Sequence, residues 1–343
     1  MKNTDHGNNF NLLRFLFASL VIISHVPELQ NGDRSNEILT QVFGTISFGE
    51  MAVDSFFLLS GFLIVKSWLG RPNFAAFLSS RILRIYPGFI AASLLCAFVV
   101  GPIYGLADYF RNFEWSRFAL GLVKLNLNGA PTVFAGSPYP ALNGAMWTIS
   151  YEFKCYLLVL ACGLTGMLNR RLIWLSLFLI CTFIHIANRL GILNIPSDII
   201  FRLGMAFSAG GCFYIYRNHI LWRNDAAWAG LVLFAAFLFI KPFAEPALCI
   251  FWGYAIFYYA MEGKFLLKFN RFPDISYGVY LYAWPINKII LWHFPTMNAY
   301  EAIIIIFLLS TLFGTASWYI VERPFMRLKK LFRLRSLQPA LLK

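Results

Sequence analysis

The sequence predicts an all-α polytopic membrane protein of about ten transmembrane helices, with both termini in the cytoplasm. Three observations carry that expectation. Hydrophobic residues make up 59% of the 343 and charged residues only 13%, about half the share usual in a soluble domain; mean hydropathy is +0.63. Apolar runs close to the ~20 residues of a spanning helix recur along the whole chain. Lys and Arg gather in alternate connections, as the positive-inside rule requires.

The first run begins near Leu12 and carries two ionisable residues, Arg14 and His25. They are eleven positions apart, so they share one helix face, roughly 16 Å apart along the axis. A charge inside a span costs about 3 kcal/mol even on the gentlest scale, so such residues face cavities and mark function. The pair predicts a polar track through most of the membrane. The segment ahead of it lacks a basic n-region, and no small-residue cleavage site follows the run, so this span is expected to remain as an anchor.

The second run, from near Met51, holds Asp54; the fourth, from Trp147, holds Glu152 and Lys154. Both acids fall at about the depth of His25. A carboxylate can hold one imidazole nitrogen and leave the other free as a base near neutral pH. Asp54 could instead pair structurally with Lys154 or Lys288, and His25 could simply pack against a neighbouring helix. The third run begins near Ile85. Arg81 and Arg84 precede it, i and i+3 on a short helix before Tyr86-Pro87, where both can face one ligand. Guanidinium forks suit phosphate, and with Arg14 nearby a phosphate site is expected; snorkelling to lipid headgroups is the alternative.

Runs five to eight begin near Leu172, Ile199, Ala226 and Ala247. His185, midway along the fifth, has no evident acidic partner and reads as packing. The ninth and tenth runs, from Ile275 and Tyr300, carry polar stripes at helical spacing. Ser276, Tyr280, Trp284 and Asn287 form one; Thr311, Thr315, Trp318 and Glu322 form the other. Such stripes suit cavity walls, though small polar residues also join helices. Ten runs leave little chain over, so residues 1–343 read as a single membrane domain.

The net charge is +13. Most Lys and Arg lie in 66–84, 169–171, 217–223, 264–271 and 323–343, all on one side of a ten-span arrangement. Glu28, Asp33, Glu37, Asp108 and Glu114 lie in the opposite connections. The excess therefore orients the chain against membrane lipids and excludes a nucleic-acid footprint. The six cysteines have no CxxC or metal-ligand spacing and read as buried thiols. The longest connection, 107–145, is expected outside. It holds an amphipathic stretch over 118–127 and a turn-rich segment over 129–144, and could cover an acceptor or lie on lipid.

At this point the residues resemble a known family, the acyltransferase-3 membrane proteins that O-acylate bacterial surface glycans. Arg14 with His25 is similar to its opening motif. Val53-Asp54-Ser55-Phe56-Phe57-Leu58-Leu59-Ser60-Gly61-Phe62 resembles its second-span signature, and Arg81-Ile82-Leu83-Arg84-Ile85-Tyr86-Pro87 its basic motif. Met146-Trp147-Thr148-Ile149-Ser150-Tyr151-Glu152, Ile275-Ser276-Tyr277-Gly278-Val279-Tyr280 and Val321-Glu322-Arg323-Pro324 complete the series in order. One departure is Ala283, where many members have histidine. The chain also has no room for the soluble hydrolase-like domain that some members add.

The resemblance implies an O-acetyltransferase of the bacterial inner membrane. Its acyl donor would be cytoplasmic acetyl-CoA, and its acceptor a glycan or lipid-linked glycan such as O-antigen or exopolysaccharide. It implies His25 as base and Arg14, Arg81, Arg84 and Glu322 on the donor side; from their depth, Asp54 or Glu152 could orient the imidazole. Ser276, Tyr280, Trp284 and Trp318 would line the cavity, and no metal is expected. A transporter or flippase for a lipid-linked sugar or acyl group is the alternative, since ionisable residues along a polar path serve transport equally. Against it, no inverted repeat is apparent.

Overall fold

The computed structural model describes residues 9–262 and 273–335, the side chains of 330–335 excepted. The basic connection 264–271 and the tail beyond 335 lie outside the described residues. Every apolar run is helical: α1 Phe10–Asn31, α2 Ile38–Phe43, α3 Phe48–Gly70, α4 Phe74–Leu95, α5 Gly101–Tyr104, α6 Trp115–Lys124, α7 Trp147–Leu164, α8 Arg171–Arg189, α9 Ile199–Ile215, α10 Asn224–Phe237, α11 Ala244–Ala247, α12 Gly253–Glu262, α13 Ser276–His293, α14 Ala299–Ser317 and α15 Arg323–Arg335. Among the described residues there is no strand, only one isolated bridge between Gly105 and Val133.

Among the described residues, five helical stretches are long and apolar enough to cross a membrane: Phe10–Asn31, Phe48–Gly70, Phe74–Tyr104, Arg171–Arg189 and Ala299–Lys329. Others fall below that length, α9 with 17 residues and α10 with 14. Local chemistry explains the boundaries. At the start of α3, Ser47 Oγ accepts from the Glu50 amide at 3.2 Å and the Glu50 carboxylate accepts from the Ser47 amide at 3.0 Å, a capping box that satisfies two end groups. Among the described residues three helices contain a π-helical turn, at Cys96–Val100 after α4, Leu248–Trp252 before α12 and Trp318–Glu322 after α14.

Two expectations need correction here. Arg81 and Arg84 do not sit on a separate short helix; α4 begins at Phe74 and runs unbroken through Pro87. Helices tolerate an internal proline where the flanking turns keep their bonds. The amphipathic stretch of the long connection lies at Trp115–Lys124, slightly earlier than its hydrophobic pattern suggests.

The chain divides into two compact units. The first takes the described parts of 1–20, 37–73 and 154–274. Here α3 packs on α9 with backbones almost touching. A Cβ on Gly61 would fall on the Phe207 carbonyl, and one on Gly210 on the Leu58 carbonyl, the small-residue contact typical of membrane helices. Trp174 of α8 donates to the Ser208 carbonyl at 2.9 Å, and Phe62 stacks on Phe257 at 4.7 Å.

Buried charges are concentrated in this unit. Arg202 Nε donates to Asp54 Oδ1 at 3.0 Å and its Nη1 to Glu50 Oε1 at 3.4 Å. His185 is not a packing residue: its Nδ1 lies 2.7 Å from Asp198 Oδ2 and its Nε2 3.6 Å from Glu245 Oε2. Arg189 Nη2 completes the group, 2.6 Å from Glu245 Oε1. The acids come from other helices, so the fifth run alone gave no sign of them.

The second unit takes 21–36, 74–153 and the described part of 275–343. Gly278 and Gly314 let α13 and α14 approach at backbone distance, and Tyr277 of α13 donates to the Ile85 carbonyl of α4 at 2.9 Å. The long connection carries a core of its own, with Tyr109, Phe113, Phe118, Val133, Phe134 and Leu142 packed on Cys96, Ala97 and Val100. A connection with its own apolar core is held as structure, beyond a flexible cover.

Candidate active site

His25 lies in the last third of α1, two residues before Pro27. Its Nδ1 is 3.0 Å from Glu28 Oε2, one turn on. The helix stops at Gly32, whose φ of 87° is the left-handed cap that glycine adopts without strain. The chain then turns back, and Arg34 Nε donates to Glu28 Oε1 at 3.1 Å. Each carboxylate oxygen thus has its own partner, and the imidazole is fixed from one side. No described residue bonds its Nε2. Trp284 of α13 meets the imidazole edge to face at 5.1 Å.

Around this histidine the second unit arranges its other aromatic and polar groups. Trp284 packs on Gly144, where any side chain would collide with the indole. Tyr280 holds the start of α7 through Thr148 Oγ1 at 2.7 Å and the Ala145 carbonyl. Asn143 donates to the Leu281 carbonyl at 2.8 Å. Asn287, on the same face of α13 as Tyr280 and Trp284, is buried, and its amide oxygen has no hydrogen-bond partner among the described residues. Tyr139 reaches Trp284 from the long connection, ring centroids 6.3 Å apart. Burial, together with the neighbouring Glu28 charge, raises the Tyr139 phenol above its ordinary pKa.

The basic group of the same unit is built on α4. Arg84 Nη1 stands 3.8 Å from Glu322 Oε2, and its guanidinium lies 5.9 Å from both the Tyr277 and Trp318 rings. Glu322 is buried at the end of a π-helical turn, and its Oε1 accepts from Ser317 Oγ at 3.2 Å. Arg81 covers the Phe77 ring at 5.4 Å. This gathers Arg84, Trp318 and Glu322, which the sequence singled out. Ser276 is buried at the first turn of α13.

Two of the remaining candidates belong to the first unit. Arg14 belongs to the first unit, where its Nη1 donates to Asp274 Oδ2 at 2.8 Å. Asp54 belongs there too, and its partner is Arg202, not Lys154 or Lys288. Glu152 occupies α7 within the second unit, half-buried. Glu28, Arg34, Asp198, Arg202 and Glu245 were not singled out as site or partner residues in the sequence. Glu28 alone leaves a readable signal, a carboxylate three positions from a histidine. No group of metal-ligand residues occurs among the described residues.

The family described as acyltransferase domain, type 3, matches residues 8–323. The chain belongs to this acyltransferase family. It is similar to an O-acetyl transferase of Shigella phage Sf6, 24% identical over 93% of this chain and 96% of that one. It also resembles nodulation protein 10 of Rhizobium leguminosarum bv. viciae, 32% identical over 45% of this chain and 44% of the other. Acyltransferase MdmB of Streptomyces mycarofaciens is 27% identical over 42% of this chain and 36% of its own length. No solved structure matches. Family and apolar helices together make the chain a multi-pass membrane acyltransferase, of the O-acetyltransferase type over nearly the whole chain.

Proposed function

We propose that this acyltransferase moves an acetyl group from cytoplasmic acetyl-CoA to a hydroxyl of a surface or secreted glycan, with His25 as general base. One observation carries the reading: Glu28 occupies Nδ1 of His25, and Nε2 has no partner among the described residues. An imidazole held in this way presents a lone pair for the proton of an incoming hydroxyl. The alkoxide forming at the sugar oxygen attacks the thioester carbonyl, and Nε2 takes its proton. Collapse of the tetrahedral adduct breaks the carbon–sulfur bond. The imidazolium then returns the proton to the departing thiolate, giving the ester and CoA.

Glu28 orients the ring throughout, and Arg34 holds Glu28. On the donor side, Arg84 with Arg81 suits the CoA phosphates, because a guanidinium fork binds phosphate oxygens two at a time. Glu322 and Trp318 fix the Arg84 head. A donor role for Arg14 and catalytic roles for Asp54 and Glu152 rest on the family motifs in which they stand. The ten apolar helices are read as ten spans of a single membrane domain in a bacterial inner membrane, with both termini cytoplasmic.

The test is transfer of radiolabel from acetyl-CoA, by purified protein in proteoliposomes, to base-treated surface polysaccharide. Label in the polysaccharide, lost in His25→Ala, is the expected result. Passage of sugar or acetyl groups across the bilayer without labelled product overturns the enzyme reading in favour of transport.

A further inference from the structure

The segment 134–141 is held more firmly than a surface connection needs. Phe134 and Tyr139 both adopt left-handed backbone conformations, φ 53° and 51°. Such conformations cost a non-glycine residue on the order of 1 kcal/mol and persist only where the surroundings impose them. The surroundings are visible. The Phe134 ring is fully buried, stacked on Tyr104 at 4.7 Å and edge-on to Trp292 at 5.6 Å. Lys288 of α13, one turn beyond Trp284, donates through Nζ to Ser137 Oγ and to the Pro138 carbonyl, both at 2.6 Å. The same ammonium lies 5.3 Å from the centre of the Phe134 ring.

Lys288 is 3% exposed and forms no ion pair with a described carboxylate. Burying an ammonium this way is costly unless its hydrogen bonds do specific work. Here they fasten Ser137 and Pro138, so the next residue, Tyr139, is set against Trp284 and therefore beside His25. Tyr139 is 39% exposed. Around it stand Glu28, Arg34 and Asp33. Arg34 Nε donates to Glu28, and Asp33 is open to solvent, bonded to Ser35.

We propose that Tyr139, set in place by the Lys288 clamp, forms with the neighbouring Asp33 the subsite that receives the acceptor's sugar ring beside His25. The inference rests on the glycan acceptor proposed above and assigns where that glycan binds. A pyranose has an apolar C–H face and a rim of hydroxyls. The phenol ring offers a flat apolar surface with a polar tip. Asp33 supplies acceptors to the rim. Few, well-placed polar groups on an aromatic wall are what orients a small ligand. Lys288 is a positioning residue: it touches the segment and never the sugar.

The experiment uses full-length protein in nanodiscs, acetyl-CoA, and surface polysaccharide stripped of its esters with base, with KM measured for each substrate. Tyr139→Ala is expected to raise the polysaccharide KM at least tenfold while the acetyl-CoA KM stays within twofold. Tyr139→Phe, which keeps the ring, is expected within threefold of wild type. Lys288→Met is expected to show the same one-sided rise in acceptor KM. Should Lys288→Met not fold, the two Tyr139 variants decide alone. Wild-type transfer with an unchanged acceptor KM in Tyr139→Ala overturns the subsite and leaves the glycan reading intact. Equal rises in both KM values also overturn it, since a general loosening of the fold acts on both substrates. Absence of any wild-type transfer to polysaccharide overturns the glycan reading, and the subsite with it.

Discussion

Glu28 holds His25 from one helical turn away, carboxylate to Nδ1 at 3.0 Å, while its other oxygen is bound by Arg34. The acid and the base therefore belong to one rigid element, and their geometry does not depend on how distant helices pack. A helix that presents both groups fixes the imidazole more accurately than a loop does.

Replacing His25 by Ala is expected to lower acetyl transfer by about 10²–10⁴-fold, the range a general base contributes. Thermal stability in detergent and acetyl-CoA binding should persist, because the imidazole uses only one local partner. Near-normal turnover of the purified variant would remove His25 from the mechanism.

Glu28→Gln keeps the shape of the side chain and removes its charge. Turnover is expected to fall by about 10²-fold with both KM values little changed, since the group orients the base and contacts no substrate. Glu28→Asp shortens the reach yet restores the charge, so partial recovery of kcat distinguishes orientation from a structural role. A pure rise in KM for either variant would contradict this.

Arg84→Lys retains a charge and loses the fork. Acetyl-CoA affinity, measured by calorimetry in detergent, is expected to drop about tenfold, because an ammonium cannot make the bidentate contact. Equal affinity in variant and parent would identify Arg84 as a lipid anchor.

Arg202→Met strands Asp54 and Glu50 without their cation. Removing one partner of a buried pair costs about 3–5 kcal/mol, so a clear fall in Tm is expected. The double change Arg202→Met with Asp54→Leu leaves no stranded charge at that pair and is expected to regain much of the loss. Activity that vanishes in the double variant while Tm recovers would assign Asp54 a chemical role beyond pairing.

Sidedness follows from the charge pattern. In a variant without the native thiols, cysteine at Ser67 is expected to react only from the cytoplasm, and cysteine at Ser35 only from outside. Reaction of both from one face would invert or break the proposed topology.

The helices and the acyltransferase class were legible because each depends on neighbours in sequence. The apolar runs fall in helices, and among the described residues five helical stretches are long and apolar enough to cross a membrane. Long-range partners left no comparable trace. Asp54 and Arg202 are 148 positions apart, and Lys288 and Ser137 are 151 apart. A buried charge announces that it needs a partner but carries nothing that names it. His185 illustrates this, since its two acids arrive from a helix entrance and from another helix altogether.

The π-helical turn at Trp318–Glu322 bears on how the family could have diverged. A π turn is the mark of one extra residue accommodated inside a helix. It winds the backbone back by about one residue's rotation, so everything after it, Glu322 included, faces a direction that ordinary winding from α14 would not give. Losing a single codon between 318 and 322 would therefore re-aim the carboxylate beside Arg84 while leaving the helix equally long-lived in the bilayer.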